Sequence, residues 1–431
     1  MHLIILIVQL ILCYLVKNYY KHNFDKPMQK NDLLKKFINT RKKSISICNN
    51  LEIEDYVVQP SEEVSPIKWH LGHTSWFFEE MILLKYIKNL TRYDEQYKSI
   101  FNSYYKSAGD HWKQGLRGQL SRPTVSDVLK YRKYINLKII TLLESTDDIE
   151  LNFLIELGIN HEEQHQELMY MDIKYIFNTG PDKIKYINKK LPITKMTLRE
   201  WEPFEEGIYS IGNEKKQFSY DNEQPAHKVY IQPFKIQKQF VSNKEYIKFI
   251  EDKGYNKPNL WLSKGWEWIN KKNIVNPQYW YKTDNKWFEF SLHGLLPINE
   301  NAPVAHISYY EAAAYAKWKK CRLPTEEESE IYIKKYEAIT KKRNKNIYHP
   351  YEVNIITNNL WWWTKSNYSA YPGYKPFNGD IEEYNEKFMY GQFILKGGSI
   401  VTPEQHHRYT YRNFYEPHQR WMFSGIRLAK D

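Results

Sequence analysis

The chain has 431 residues, 42% of them hydrophobic and 26% charged, which allows two domains or one large one with an ample core and excludes global disorder. Its formal charge of +11 is spread along the chain rather than clustered, so no nucleic-acid partner is expected. Three cysteines, Cys13, Cys48 and Cys321, lie far apart; this excludes a disulfide framework, points to a reducing, cytoplasmic setting, and leaves His and carboxylates to build any metal site.

Leu3 to Val16 is apolar apart from Gln9 and is followed by Lys17 and Lys21. The run is short for a spanning helix and lacks both a basic n-region and a cleavage site. Residues 3–16 therefore read either as a weak membrane tether or as an over-called start, with Met28 the start of the folded protein. From residue 31 to about 178 the pattern is helical, with long amphipathic runs at Asp32–Cys48, Ser65–Leu90, Thr124–Leu143 and Asp148–Phe177. Ser65-Pro66 and Arg122-Pro123-Thr124 look like helix starts, since proline is tolerated in the first turn. Four long helices with modest connections predict a four-helix bundle, a fold that often places metal sites between facing helices. Thr179-Gly180-Pro181 closes that region and Leu191–Phe204 reads as a linker. From Gly207 onward short β-like runs (207–211, 227–231, 393–395) alternate with Asn-, Gly- and Pro-rich loops and helical patches at Asn243–Lys253 and Ser308–Lys320. The expected organisation is an extension at 1–31, a helical domain at 32–190 and an irregular α+β domain at 196–431.

Residues 161–167 read His-Glu-Glu-Gln-His-Gln-Glu. Residues four apart share a helix face, so His161 and His165 present two imidazoles to one point. The same stretch satisfies the His-Glu-x-x-His pattern of zinc metallopeptidases, with Glu162 in the general-base slot. Upstream, Lys68-Trp-His70-Leu-Gly-His73 sets two more histidines at i and i+3 on the second helix, and Gly72 beside His73 would let another group approach closely. Three neutral imidazoles suit Zn, Fe, Cu or Ni, and the ligand set alone does not choose among them. Glu167 is a candidate to hold a ligand imidazole from behind. The many aromatic residues, 16% of the chain, offer flat faces on which a cation could rest.

Taken in order, Val64-Ser-Pro-Ile-Lys-Trp-His-Leu-Gly-His-Thr-Ser-Trp-Phe-Phe-Glu79, Phe101-Asn-Ser-Tyr-Tyr105, Arg117-Gly-Gln-Leu-Ser-Arg-Pro-Thr124 and His161-Glu-Glu-Gln-His-Gln-Glu-Leu168 resemble the ergothioneine-pathway sulfoxide synthases, or hercynine oxygenases. The resemblance continues through Tyr220-Asp-Asn-Glu-Gln-Pro, Leu260-Trp-Leu-Ser-Lys-Gly-Trp, Arg322-Leu-Pro-Thr-Glu, Tyr384-Asn-Glu-Lys-Phe-Met, Lys396-Gly-Gly-Ser and Thr410-Tyr-Arg-Asn-Phe414, and covers roughly residues 32–431. It implies a two-domain α+β protein, a DinB-like four-helix bundle followed by a C-type-lectin-like domain of the formylglycine-generating-enzyme kind. It also implies Fe(II) as cofactor, O2 as co-substrate, and coupling of a cysteine or γ-glutamylcysteine sulfur to the imidazole C2 of Nα-trimethylhistidine (hercynine), leaving a sulfoxide. The matching iron ligands are His73, His161 and His165; His70 falls where no ligand is needed. Gln164 matches the contact to the substrate imidazole, and Asn413 and Phe414 match positions lining the trimethylammonium pocket, where ring faces hold a cation that has no proton to donate. Tyr104, Tyr105 and Tyr384 are the candidate proton donors. Arg117 and Arg122 suit a substrate carboxylate, which guanidinium grips in bidentate fashion.

Departures from the family pattern qualify these assignments. Members that take γ-glutamylcysteine carry an acidic residue after the Asn-aromatic pair, whereas this chain has Tyr415, so free cysteine is the expected donor. Formylglycine-generating chemistry needs a cysteine pair that the second domain, with Cys321 alone, lacks. Ser329 stands where the family usually has Trp, and Trp362 where an acidic residue is usual; both put local packing in question. The rival readings are the ovothiol-pathway 5-histidylcysteine sulfoxide synthase, a selenium-transferring relative, a binding protein that has lost catalysis, and a zinc peptidase using His161-Glu162-x-x-His165.

Overall fold

The structure is a computed structural model that describes residues 28–195, 197–214, 217–337 and 346–431, so the apolar run at 3–16 lies outside the described residues. Among the described residues no helix is long and apolar enough to cross a membrane. The described residues form two compact units, one lying within Met1–Gln166, Asn213–Tyr220 and Phe377–Tyr384, the other within Glu167–Gly212, Asp221–Pro376 and Asn385–Asp431.

The first unit is helical. Its long elements are α1 (Lys30–Ile47), α2 (Ile67–Phe78), α3 (Val125–Ser145) and α4 (Ile149–Thr179), the last running on into residues of the second unit. In α3 the buried residues Val125, Val128, Tyr131, Ile135, Ile139, Leu142 and Leu143 recur at three and four, the stripe a helix turns toward a core. Thr124 caps its start: its hydroxyl accepts from the Asp127 N–H at 3.2 Å, while the Asp127 carboxylate accepts from the Thr124 N–H at 3.1 Å. The α2 helix is different, because all twelve of its residues are buried, Lys68, His70 and His73 included. Buried polar groups need partners, and the Lys68 ammonium meets the Leu120 carbonyl at 2.7 Å. A single π-helical turn, Glu79–Leu83, follows α2.

Two glycines set how closely these helices are approached. A Cβ on Gly72 would lie 2.1 Å from the Phe101 ring, and one on Gly158 would lie 2.6 Å from Phe78. Alanine at either position would push a fully buried aromatic ring out of place, at a cost of about 1–3 kcal/mol.

The second unit carries β1 (Trp201–Phe204), β2 (Gly207–Ile211), β3 (His227–Ile231), β4 (Phe234–Gln237), β5 (Trp280–Thr283), β6 (Lys286–Ser291), β7 (Gly294–Pro297), β8 (Trp361–Asn367), β9 (Phe393–Lys396), β10 (Asn413–Tyr415), β11 (Ser424–Gly425) and β12 (Ala429–Lys430). Among the described residues they form four small sheets, ordered β1-β4-β12, β10-β9-β8-β11, β2-β3 and β5-β6-β7. Its helices are α5 (Asn243–Glu251), α6 (Ser263–Lys272), α7 (Tyr309–Trp318) and α8 (Glu326–Tyr336). Three of these start with a reciprocal cap, Ser242 with Glu245, Ser308 with Glu311 and Thr325 with Glu328. A helical first part followed by a sheet-containing second part is the two-domain α+β layout expected above. The β-like runs at 207–211, 227–231 and 393–395 are β2, β3 and the start of β9, whereas the β5-β6-β7 meander and the α6 and α8 helices have no counterpart in the sequence reading.

The two departures at Ser329 and Trp362 turn out to be partners. Trp362 Nε1 donates to Ser329 Oγ at 3.0 Å, and both residues are fully buried. The large side chain lies on β8 and the small acceptor on α8. Gly397, at φ +103°, leaves room for the indole: a Cβ there would sit 1.9 Å from the Trp362 ring.

Candidate metal centre

His73 on α2 and His161 and His165 on α4 converge in the first unit: each offers one nitrogen, and the three nitrogens lie within 4.8 Å of one another. All three rings are buried. No other His, Cys, Asp or Glu cluster of this kind occurs among the described residues. Burial holds each imidazole neutral, pushing His161 down to about 3 and His73 and His165 well below the usual histidine value. A neutral imidazole is the form that binds a metal.

The tautomers follow from the neighbours. His73 Nδ1 lies 2.6 Å from the Phe101 carbonyl, which can only accept, so Nδ1 carries the proton and Nε2 is bare. Gly72 is what lets Phe101 come that close. His73 Nε2 faces His161 Nε2 at 3.2 Å. Two imidazole nitrogens can stand that close only with a proton or a cation between them. Ligands at the usual imidazole–metal distance of about 2.1 Å, set at octahedral or tetrahedral angles, are themselves about 3.0–3.4 Å apart. The His73–His161 pair is therefore spaced as two ligands of one transition metal would be, with the His165 nitrogen within 4.8 Å of both. His161 Nδ1 has no hydrogen-bond partner among the described residues, and its ring is held by packing against Phe77, 4.5 Å between centroids, and Tyr384, 5.9 Å away. The third ring, His165, turns Nδ1 to His70 Nδ1 at 2.8 Å. His70, outside the ligand set that the sequence resemblance implies, is thus in direct contact with one of the ligand candidates.

Glu162 points elsewhere. One position on from His161, it is turned about 100° round the helix and meets Arg41 at 2.8 Å, Arg132, and the Ser44 hydroxyl at 2.5 Å, all buried. Burial alone would raise its pKa, but Arg132 and Arg41 bring it down to about 2. A carboxylate so firmly ionised and so fully engaged is a poor general base, and this removes the residue the peptidase reading needs. Glu167, six positions past His161, belongs to the second unit, where its Oε1 accepts from Trp361 Nε1 at 2.6 Å and Ser399 Oγ at 2.9 Å.

The other sequence candidates divide by location. Tyr384, Tyr104, Tyr105, Gln164 and Arg117 belong to the first unit with the histidines. The Tyr384 phenol donates to Gln164 Oε1 at 2.6 Å. Tyr105 is fully buried, with Tyr104 stacked on it at 4.6 Å. Burial, then the neighbouring Tyr104 and Tyr384, pushes its phenol well above the ordinary value, so it stays protonated. Arg117 lies buried with its guanidinium 3.3 Å over the Trp69 ring, which in turn stacks on His73 at 4.6 Å. Arg122, by contrast, is exposed and donates to the adjacent Ser121 carbonyl at 3.0 Å. Asn413, Phe414 and Tyr415 form β10 in the second unit, half-buried, with Phe414 stacked on Tyr368 at 4.1 Å and beside Phe388 at 5.9 Å. Burial and the Glu167 carboxylate raise the Tyr415 phenol well above its ordinary value.

Residues 197–345 match the model of the sulfatase-modifying factor enzyme 1-like domain family. The chain is 29% identical over 346 residues to the hercynine oxygenase of Mycolicibacterium smegmatis, covering 71% of this chain and 78% of that one. It is 28% identical over 312 residues to the hercynine oxygenase of Mycobacterium tuberculosis, covering 65% and 72%. Ergothioneine biosynthesis protein 1 of Schizosaccharomyces pombe is 26% identical over 235 residues, half of this chain and 28% of that protein. With the ordered sequence blocks, the buried three-histidine cluster and the sheet-containing second unit, these matches lead to one conclusion: the chain is similar to the hercynine oxygenases over most of its length.

Proposed function

We propose that the protein is a sulfoxide synthase of ergothioneine biosynthesis, using Fe(II) and O2 to join the sulfur of cysteine to C2 of the hercynine imidazole. The observation that carries the reading is the convergence of His73, His161 and His165, three neutral nitrogens within 4.8 Å in a buried site. The reaction balances as one C–H and one S–H lost, a C–S and an S=O bond formed, and O2 reduced by four electrons, one oxygen going to the sulfoxide and one to water.

His73, His161 and His165 would hold the iron, which when bound supplies the redox chemistry and lowers the pKa of a bound thiol. The remaining work falls to side chains. Gln164, whose Oε1 is engaged by Tyr384, turns its amide toward the hercynine imidazole. Tyr384 is the favoured proton donor, through its position beside His161, with Tyr105 and its stacked neighbour Tyr104 next. Arg117 is the better placed of the two arginines for a substrate carboxylate, being buried beside Trp69 where Arg122 is exposed. Asn413 and Phe414 receive the trimethylammonium group, for which an aromatic face gives about 0.5–2 kcal/mol. Tyr415 in place of a carboxylate favours cysteine over γ-glutamylcysteine. Burial of the histidines keeps water from competing for oxidised intermediates.

The test is anaerobic Fe(II) loading followed by O2, hercynine and either thiol, with the product read by mass spectrometry and NMR. C2-linked sulfoxide from cysteine is the expected product. A C5 linkage with histidine would make the protein an ovothiol-pathway enzyme, incorporation from a selenium donor a selenium-transferring relative, faster turnover with γ-glutamylcysteine would reverse the donor assignment, and Fe(II) binding without O2 consumption would leave a binding protein. In the same assay Tyr384→Phe should lower coupling about 100-fold, the usual range for a lost general acid, with Fe(II) affinity unchanged.

A further inference from the structure

We propose that His70 is the positioning residue for His165, accepting its Nδ1 proton and so holding that ring in the tautomer and rotation that leave Nε2 for the metal. The inference rests on the metal reading above and adds to it a residue that the sequence places outside the ligand set. Its basis is the 2.8 Å contact between His70 Nδ1 and His165 Nδ1, with both rings buried. With Nδ1 committed to His70, the nitrogen His165 has left to offer the cluster is Nε2. To bind a metal Nε2 must be bare, so the proton of the neutral ring sits on Nδ1. Nδ1 then donates, and His70 Nδ1 accepts. A metal-bound histidine is ordinarily held this way, by a partner on its second nitrogen.

Local geometry reinforces the assignment. His73 and His70 stand three apart on α2, so they share one face of that helix. One turn thus carries both a ligand and the group that aims a ligand on α4. The two arrangements are parallel: a backbone carbonyl, Phe101, holds Nδ1 of His73, and an imidazole, His70, holds Nδ1 of His165. A ring in place of a carbonyl also packs, since His70 lies edge-on to Trp69 at 5.8 Å and to His165 at 5.1 Å. A structural role for His70 would depend on that volume, whereas a positioning role depends on the acceptor nitrogen.

The experiment separates the two by comparing His70→Phe, which keeps the ring and removes the acceptor, with His70→Asn, which keeps an acceptor on a smaller side chain. Co(II) binding to the full chain is titrated by its visible absorption, with His161→Ala as reference and the melting temperature of each metal-free protein recorded. The expected result is about 10–100-fold weaker Co(II) binding with an altered spectrum in His70→Phe, and near-wild-type binding and spectrum in His70→Asn. Wild-type behaviour in His70→Phe, or equal loss in both variants, overturns the proposal. If the wild type itself binds no more Co(II) than His161→Ala, the metal reading fails instead. In that case, or if His70→Phe does not fold, 15N NMR of labelled histidines in the metal-free wild type decides the positioning claim. His165 protonated on Nδ1 supports it, and His165 protonated on Nε2 overturns it.

Discussion

His73 in the first unit and His306 in the second are set up in the same way. Each ring gives its Nδ1 proton to a backbone carbonyl, Phe101 at 2.6 Å for His73 and Trp421 at 3.2 Å for His306, and each is left with a bare Nε2. What meets that nitrogen differs. His306 Nε2 accepts from the buried Lys174 ammonium at 2.7 Å, and Lys174 lies over the Tyr279 and Phe423 rings at 4.5 and 5.2 Å, with the Glu289–His349 pair closing at 3.0 Å in the same unit. His73 Nε2 instead faces the nitrogen of a second imidazole, with a third imidazole beside both. One cluster supplies its own donor and is complete. The other brings three imidazole nitrogens to one point, the arrangement that a cation from outside would satisfy. Burial and perturbed titration mark both places, so neither identifies a site by itself; the convergence of acceptors does.

The sharpest way to break this comparison is His161→Ala. Two nitrogens should no longer hold a transition metal, and Fe(II) affinity, read by anaerobic titration, should fall by more than the roughly 100-fold that loss of an outer partner costs. Retained Fe(II) at full stoichiometry would mean that the ligands lie elsewhere. Next in size is Glu162→Ala. Removing the carboxylate leaves Arg41 and Arg132 buried and unpaired, so stability in denaturant should drop by about 3–5 kcal/mol. A variant of native stability that has lost only activity would restore the catalytic-base reading.

The smallest effect belongs to the second cluster. Burial lowers Lys174 to about 7, so above that pH it is neutral in the fold but charged in the unfolded chain up to its ordinary value of 10.5. Between those values the unfolded state binds more protons, and stability should rise with pH by no more than about 1.4 kcal/mol per unit from this group. Lys174→Met should remove that rise, seen as a flatter denaturant midpoint between pH 7 and 9 relative to wild type. Equal slopes in the two proteins would show Lys174 charged in the fold, and the cluster would then be an ion site of a different kind.

Much of the first unit was legible in the chain. The 3.6-residue period of α3 and α4, the Thr124–Asp127 cap and the His161–His165 spacing are all local, fixed by geometry within a few turns. Even His73 was within reach, because a buried helix that also carries Gly72 signals close approach by another group. The role of His70 was not, since nothing on α2 says which of two histidines facing the same way supplies a ligand and which a hydrogen bond. The same holds for Arg117 and Arg122, five residues apart with equal chemistry, one buried over Trp69 and the other in solvent. In the second unit the pairing of Trp362 with Ser329 joins residues of two elements, so two apparent anomalies in sequence are one contact.

From the chain alone come the helical first part, the pair of imidazoles on one helix face, the third histidine and the family resemblance. These depend on short-range periodicity and on the order of motifs, which a linear text preserves. The fold supplies the rest: Arg41 and Arg132 reach Glu162 and make it structural, Phe101 sets the tautomer of His73, and His70 turns to His165. Each of these joins residues tens of positions apart through a single hydrogen bond or ion pair. Such pairings depend on where the chain crosses itself, and no local pattern encodes that.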